Sequence, residues 1–196
     1  MARSTSDTDA RLLLWAGWLC VAAALTAQCA ASLRPLEFLV DSVFSRDDAF
    51  HYFKIARSIA VGHGATFDGI HATSGVQFLW TGFLIPLAWV FDDPVTYLRA
   101  VLFLCIALNL IAAFLFARLC RIAHSDTLAG IALILWAGVL AERWNTLQGM
   151  EYSLHIVILL ETAIVAWRFF TDRDWTLSLV LGVLLALNFW TRLDSL

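Results

Sequence analysis

The residues best suited to chemistry are the adjacent carboxylates of Ser45-Arg46-Asp47-Asp48. A carboxylate can take the proton from an attacking hydroxyl, and two together can ligate a hard divalent cation through oxygen. They also open a helical pattern. Ser45 is a good N-cap residue, and Asp48 follows three positions on, as in a capping box with Asp for Glu. Ala49, Tyr52, Phe53, Ala56, Ile59 and Ala60 then recur at helical spacing, with His51, Lys54, Arg57 and Ser58 off that stripe. The pattern predicts an amphipathic surface helix over 47–61, suited to lying on a membrane and ended by Gly62 and Gly64. The bland alternative is that the pair only starts a helix, where the dipole favours anions.

Other polar residues carry two readings each. Glu151, after Gly149-Met150, either caps an apolar helix or belongs to a site. Asp68 either makes a turn before Gly69 or joins the site. Trp80 is an interface anchor or a substrate platform, and Asp92-Asp93-Pro94 reads as a helix start. Glu161 and His155 fall inside an apolar block, where an acid is costly and faces protein or water; Glu161 reads as protonated or bundle-facing. The four cysteines lack metal-type spacing and read as small hydrophobes.

The elements that position these residues are membrane helices. The 196 residues are 61% hydrophobic with a mean hydropathy of +0.77, against about 45–50% apolar for soluble domains. Nine tryptophans suit a bilayer interface, and a net charge of -3 gives no reason to expect nucleic acid. The first apolar block, after Arg3 and Arg11, is too long for a signal-peptide core and reads as a retained span. The fold class is therefore all-α: a polytopic membrane helical bundle with amphipathic surface helices in the first outer loop. A single transmembrane domain has spans at about 12–33, 97–118, 127–145, 152–169 and 175–191. Its outer loop, 34–96, holds the surface helix 47–61 and a half-inserted helix 76–91.

Whether 76–91 spans decides the topology. If it does not, Arg118, Arg121, His124, Arg168 and Arg173 join Arg3 and Arg11 on one side, as the positive-inside rule asks. If it does, the Arg118–Arg121 cluster moves outside and Arg143 moves inside. The first arrangement is preferred. It puts the N-terminus in the cytoplasm and the acidic loop outside the cell inner (plasma) membrane. The loop then shares the outer face with Glu142–Glu151 and Arg192–Asp194.

Several motifs together resemble a known family. They are Asp47-Asp48-Ala49-Phe50-His51-Tyr52-Phe53-Lys54-Ile55-Ala56-Arg57, Gly62-His63-Gly64, Phe67-Asp68-Gly69-Ile70, Thr73-Ser74-Gly75 and Leu79-Trp80. They resemble the first loop of bacterial membrane glycosyltransferases of the C superfamily that use polyprenyl-phosphate sugars, including arabinofuranosyltransferase-like and protein-mannosyltransferase-like branches. Gly149-Met150-Glu151 and Arg192-Leu193-Asp194 resemble two later short elements of the same enzymes. Gln77 and Phe78 depart from the family's usual His-Pro. The family's chains are longer, so this sequence reads as the front part of such an enzyme.

The resemblance implies transfer of a sugar from a polyprenyl-phosphate donor to a hydroxyl of a glycan, lipid or protein acceptor, at the outer face of the bilayer. It favours Asp47 as base, with Asp48 orienting the acceptor or holding a metal; a divalent ion as cofactor is left open. Lys54, Arg57, His63 and Arg192 are candidates to meet the phosphate, and Asp68, Trp80, Glu151 and Asp194 complete the substrate-binding set. The rival readings are a transporter fragment built on Glu161, His155 and Asn109, and a catalytically inactive remnant.

Overall fold

The computed structural model describes residues 2–44, 47–142 and 147–192, with only the backbone for 2–7 and 47. Ser45, Arg143, Asp194 and the end of the span expected at 127–145 therefore lie outside the described residues. The described chain is all α-helical apart from one isolated bridge between Thr66 and Ala72. The helices are α1 (Ala2–Ser32), α2 (Leu36–Ser42), α3 (Asp47–Ala60), α4 (Phe78–Val90), α5 (Pro94–Ala123), α6 (Asp126–Ala141), α7 (Tyr152–Asp172) and α8 (Leu177–Thr191). The short α2 was not expected from the sequence.

Among the described residues three helices are long and apolar enough to cross a membrane: Thr8–Ser32 within α1, the whole of α5, and α7. By that measure the chain is a membrane protein. Helices α4, α6 and α8 are apolar but shorter, at 13, 16 and 15 residues. At 1.5 Å per residue α4 reaches only about 20 Å, short of a hydrocarbon core of about 30 Å.

Helix α5 is central. It packs against α1, α6 and α7, and its buried residues recur along its whole length from Tyr97 to Cys120. Asp93 caps its N-terminus, accepting from the Thr96 amide at 2.8 Å and hydroxyl at 2.7 Å, with Pro94 in the first turn. These bonds, with the positive field of Arg57 and Arg99, hold the Asp93 carboxyl below its ordinary range.

Helix α1 lies chiefly along α6. Their crossing needs glycine on both sides: a Cβ on Gly17 would sit 2.7 Å from Leu133 Cβ, and one on Gly130 would sit 2.8 Å from the Leu13 backbone. Small residues allow this close approach where helices meet in a bilayer. A polar latch joins α1 to α6 and to α5, where Gln28 Nε2 donates to the Leu140 carbonyl at 2.8 Å and Asn109 Nδ2 reaches Gln28 Oε1 at 3.4 Å. A second latch joins α7 to α8, Asn188 Nδ2 donating to Thr162 Oγ1 at 2.9 Å.

Helix α3 departs from the sequence reading in one respect. Its stripe residues Ala49, Phe53 and Ala56 are buried in the protein core, and so is Ile55, which lies off the stripe. The apolar face is thus taken up by protein contacts rather than left bare for lipid.

Candidate functional site

The site is built around the start of α3. Phe44, Phe50 and Phe53 meet edge to face, with centroids 5.5–5.9 Å apart, and Phe53 meets Tyr97 of α5 at 6.0 Å. This aromatic group fixes α3 against α5. It also bears on Gly149, where a Cβ would lie 2.5 Å from Phe53 Cζ and 2.9 Å from Phe44 Cε1. Gly149 has φ +73°, a left-handed conformation that favours glycine. Its carbonyl accepts from Trp80 Nε1 of α4 at 3.1 Å. The turn 147–151 is thereby wedged between α3 and α4.

Trp80 is 0% exposed. Its indole is enclosed by protein and holds the Gly149 turn in place. The sequence could not separate this role from an interface anchor or a substrate platform, because an indole suits all three.

What the turn carries is Glu151, 3% exposed at the first position before α7. It makes no side-chain cap bond to that helix, so the capping alternative does not describe it. Tyr52 locates its surroundings. Burial pushes the Tyr52 hydroxyl up to about 12, and the negative charges of Glu151 and Asp48 add to that, with Tyr152 next. Arg192 opposes them. The Arg192 guanidinium in turn lies 5.2 Å from the Tyr152 ring centroid. Asp48 of α3, Glu151, Tyr152 of α7 and Arg192 at the end of α8 are thus each within electrostatic reach of the Tyr52 hydroxyl. Asp47 is the first residue of α3, one turn before His51 and two before Lys54. Asp194 lies outside the described residues.

The remaining expected site residues line a separate cavity of about 800 Å³ beside α3. Its walls include Lys54, Arg57, His63, Phe67 and Asp68, closed by Pro94, Tyr97 and Leu98 of α5. The Lys54 ammonium lies 4.3 Å from the Phe67 ring centroid, and His51 stacks on the same ring at 4.5 Å. Arg57 donates to the Asp92 carbonyl and sits 5.8 Å from the Tyr97 ring centroid.

Asp68 spends both carboxylate oxygens inside its own loop. Oδ1 accepts from the Thr66 hydroxyl and from the amides of Ile70 and His71, and Oδ2 lies 2.7 Å from His71 Nδ1. The His71 contacts, then Ile70, hold the carboxyl far below its usual range. Of its two readings, turn formation is the one these bonds describe, and the turn presents Phe67 to Lys54.

Elsewhere Glu161 faces a cation: Arg118 Nη1 is 4.0 Å from its Oε2, and both side chains are 36% exposed. It is bundle-facing through a partner, and Arg118 is more than a plain interface anchor. Among the described residues no three His, Cys, Asp or Glu side chains are grouped to hold a metal ion. A divalent ion would rely on the Asp47-Asp48 pair and donors from substrate.

No protein-family model, curated protein or solved structure matches this chain significantly.

Proposed function

We propose that the chain is a membrane glycosyltransferase, taking a sugar from a polyprenyl-phosphate donor to an acceptor hydroxyl. The observation that carries this reading is convergence. Asp48 with Tyr52, then Glu151, then Arg192 come from three separate stretches of sequence, and Asp48, Glu151 and Arg192 each act on the Tyr52 hydroxyl. Those three stretches carry the resemblance to the polyprenyl-phosphate-dependent enzymes.

In this mechanism the acceptor oxygen attacks the anomeric carbon of the donor. Asp47 takes the hydroxyl proton as the new glycosidic bond forms. The bond from that carbon to the phosphate oxygen breaks, and its electron pair leaves on the phosphate. Cations stabilise the departing charge: Lys54 and Arg57 on the cavity side of α3, and Arg192 beside Tyr152. Asp48 and Glu151 orient the acceptor. Much of the rate comes from holding a lipid-anchored donor and the acceptor in register. The site then sits at an outer face of the plasma membrane, with the N-terminus on the other side.

The transporter alternative has less to stand on. Its polar groups serve the fold, Asn109 bonding Gln28 and Glu161 facing Arg118. The experiment is to incubate the full chain in liposomes with radiolabelled polyprenyl-phosphate sugar and a mixed acceptor extract. Label should leave the lipid for a hydroxyl acceptor; donor that stays intact throughout sinks the proposal.

A further inference from the structure

We infer that the bundle end remote from α3 holds a second site, which takes the phosphate headgroup of an anionic phospholipid. A cavity of about 550 Å³ opens there between α1, α5, α6 and α7. Leu14, Trp18 and Phe114 form apolar walls, and Arg118, Arg121 and Arg168 supply cations. Both α5 and α7 begin near α3 and run away from it. Arg118 lies 24 residues beyond Pro94, about 36 Å along the helix. The cavity is therefore distinct from the proposed transfer site, and its assignment does not rest on that reading.

The arginines that line this cavity are incompletely matched by carboxylates. Arg121 Nε is 2.7 Å from Asp126 Oδ1, a close pair. Arg118 and Glu161 meet only at 4.0 Å and are about a third open to solvent, so their attraction is weak. Arg168 has no carboxylate within ion-pair distance among the described residues. Three guanidinium groups face two carboxylates, which leaves one positive charge in a cavity that is partly apolar. A guanidinium fork matches phosphate oxygens, and basic pockets between membrane helices take lipid headgroups. The apolar walls favour a lipid over free phosphate: Phe114 is 59% exposed on α5, where an acyl chain can lie along it.

The test is native mass spectrometry of the full chain released from phosphatidylcholine nanodiscs doped with phosphatidylglycerol. The chain should keep phosphatidylglycerol in preference to phosphatidylcholine. Arg168→Gln should lower the retained fraction about fivefold, the worth of one cation near an anionic leaflet. Arg173→Gln removes a cation at the same end but outside the cavity lining, and should change nothing. Equal retention of both lipids by the unaltered chain overturns the inference, whatever the variants do. Equal losses in the two variants also overturn it, since they mean diffuse surface charge. Displacement of the lipid by inorganic phosphate at matched concentration reassigns the cavity to a free anion.

Discussion

Replacing Gly149 by alanine should disturb the Glu151 turn and little else. The new Cβ would lie 2.5 Å from Phe53 Cζ and 2.9 Å from Phe44 Cε1, both in packed rings that cannot swing aside. Overpacking of this kind costs about 1–3 kcal/mol. The left-handed backbone at φ +73° adds about 1–2 kcal/mol for any residue with a Cβ. Together these give a loss of about 2–5 kcal/mol. A turn that relieves the clash by moving also strains the Trp80 bond to its carbonyl. The assay is thermal unfolding in detergent, followed by intrinsic fluorescence. Gly138→Ala in α6 is the control, since nothing lies within 4 Å of a Cβ there. A Gly149→Ala chain that melts with the control would refute the wedge between α3 and α4.

Three further outcomes follow from other parts of the structure. Tyr52 should ionise well above the ordinary tyrosine range; because its folded value is raised to about 12 from 10, the stability it lends is present below pH 10 and is lost as pH rises toward 12. Glu151→Gln should lower that value and Arg192→Gln should raise it, read by tyrosinate absorbance against a Tyr52→Phe blank. Asp68 is depressed, so the loop it ties is fully supported above about pH 4 and loosens as pH falls toward the folded value; the protection of the Ile70 and His71 amides, taken relative to the intrinsic exchange rate at each pH, should fall there, and in Asp68→Asn at neutral pH. Gln28→Ala should cost about 0.6–1.7 kcal/mol, the worth of a polar contact between membrane helices, measured by unfolding in detergent, because the Leu140 carbonyl loses its donor.

Much of the helix pattern was open to reading because it rests on local rules. Long uncharged blocks mark α1, α5 and α7, and Asp93-Pro94 marks the start of α5. What the sequence withheld was which faces meet. A helix such as α5 is apolar all round, so periodicity cannot choose its buried side, and its central place emerges only from packing. Gly17 and Gly130 carry no chemistry, and nothing local signals that they meet. Ile55 lies off the amphipathic stripe yet is buried, because α3 is covered from more than one direction. For the site, residue types and order pointed to Asp48, Glu151 and Arg192, whereas the role of Trp80 depended on a partner 69 positions away. Asp68 carries both meanings in sequence, and only its four contacts within the loop tell them apart.

The central claim is that Asp47 accepts the proton in a transfer from a lipid-phosphate sugar. It is tested most directly by comparing the full-length chain with Asp47→Asn, both in liposomes containing radiolabelled polyprenyl-phosphate sugar and acceptor. Matched expression and an unchanged helical circular-dichroism signal establish that the variant is folded. Label should transfer with the unaltered chain, and none above background with Asp47→Asn. Equal transfer by both chains would contradict the claim.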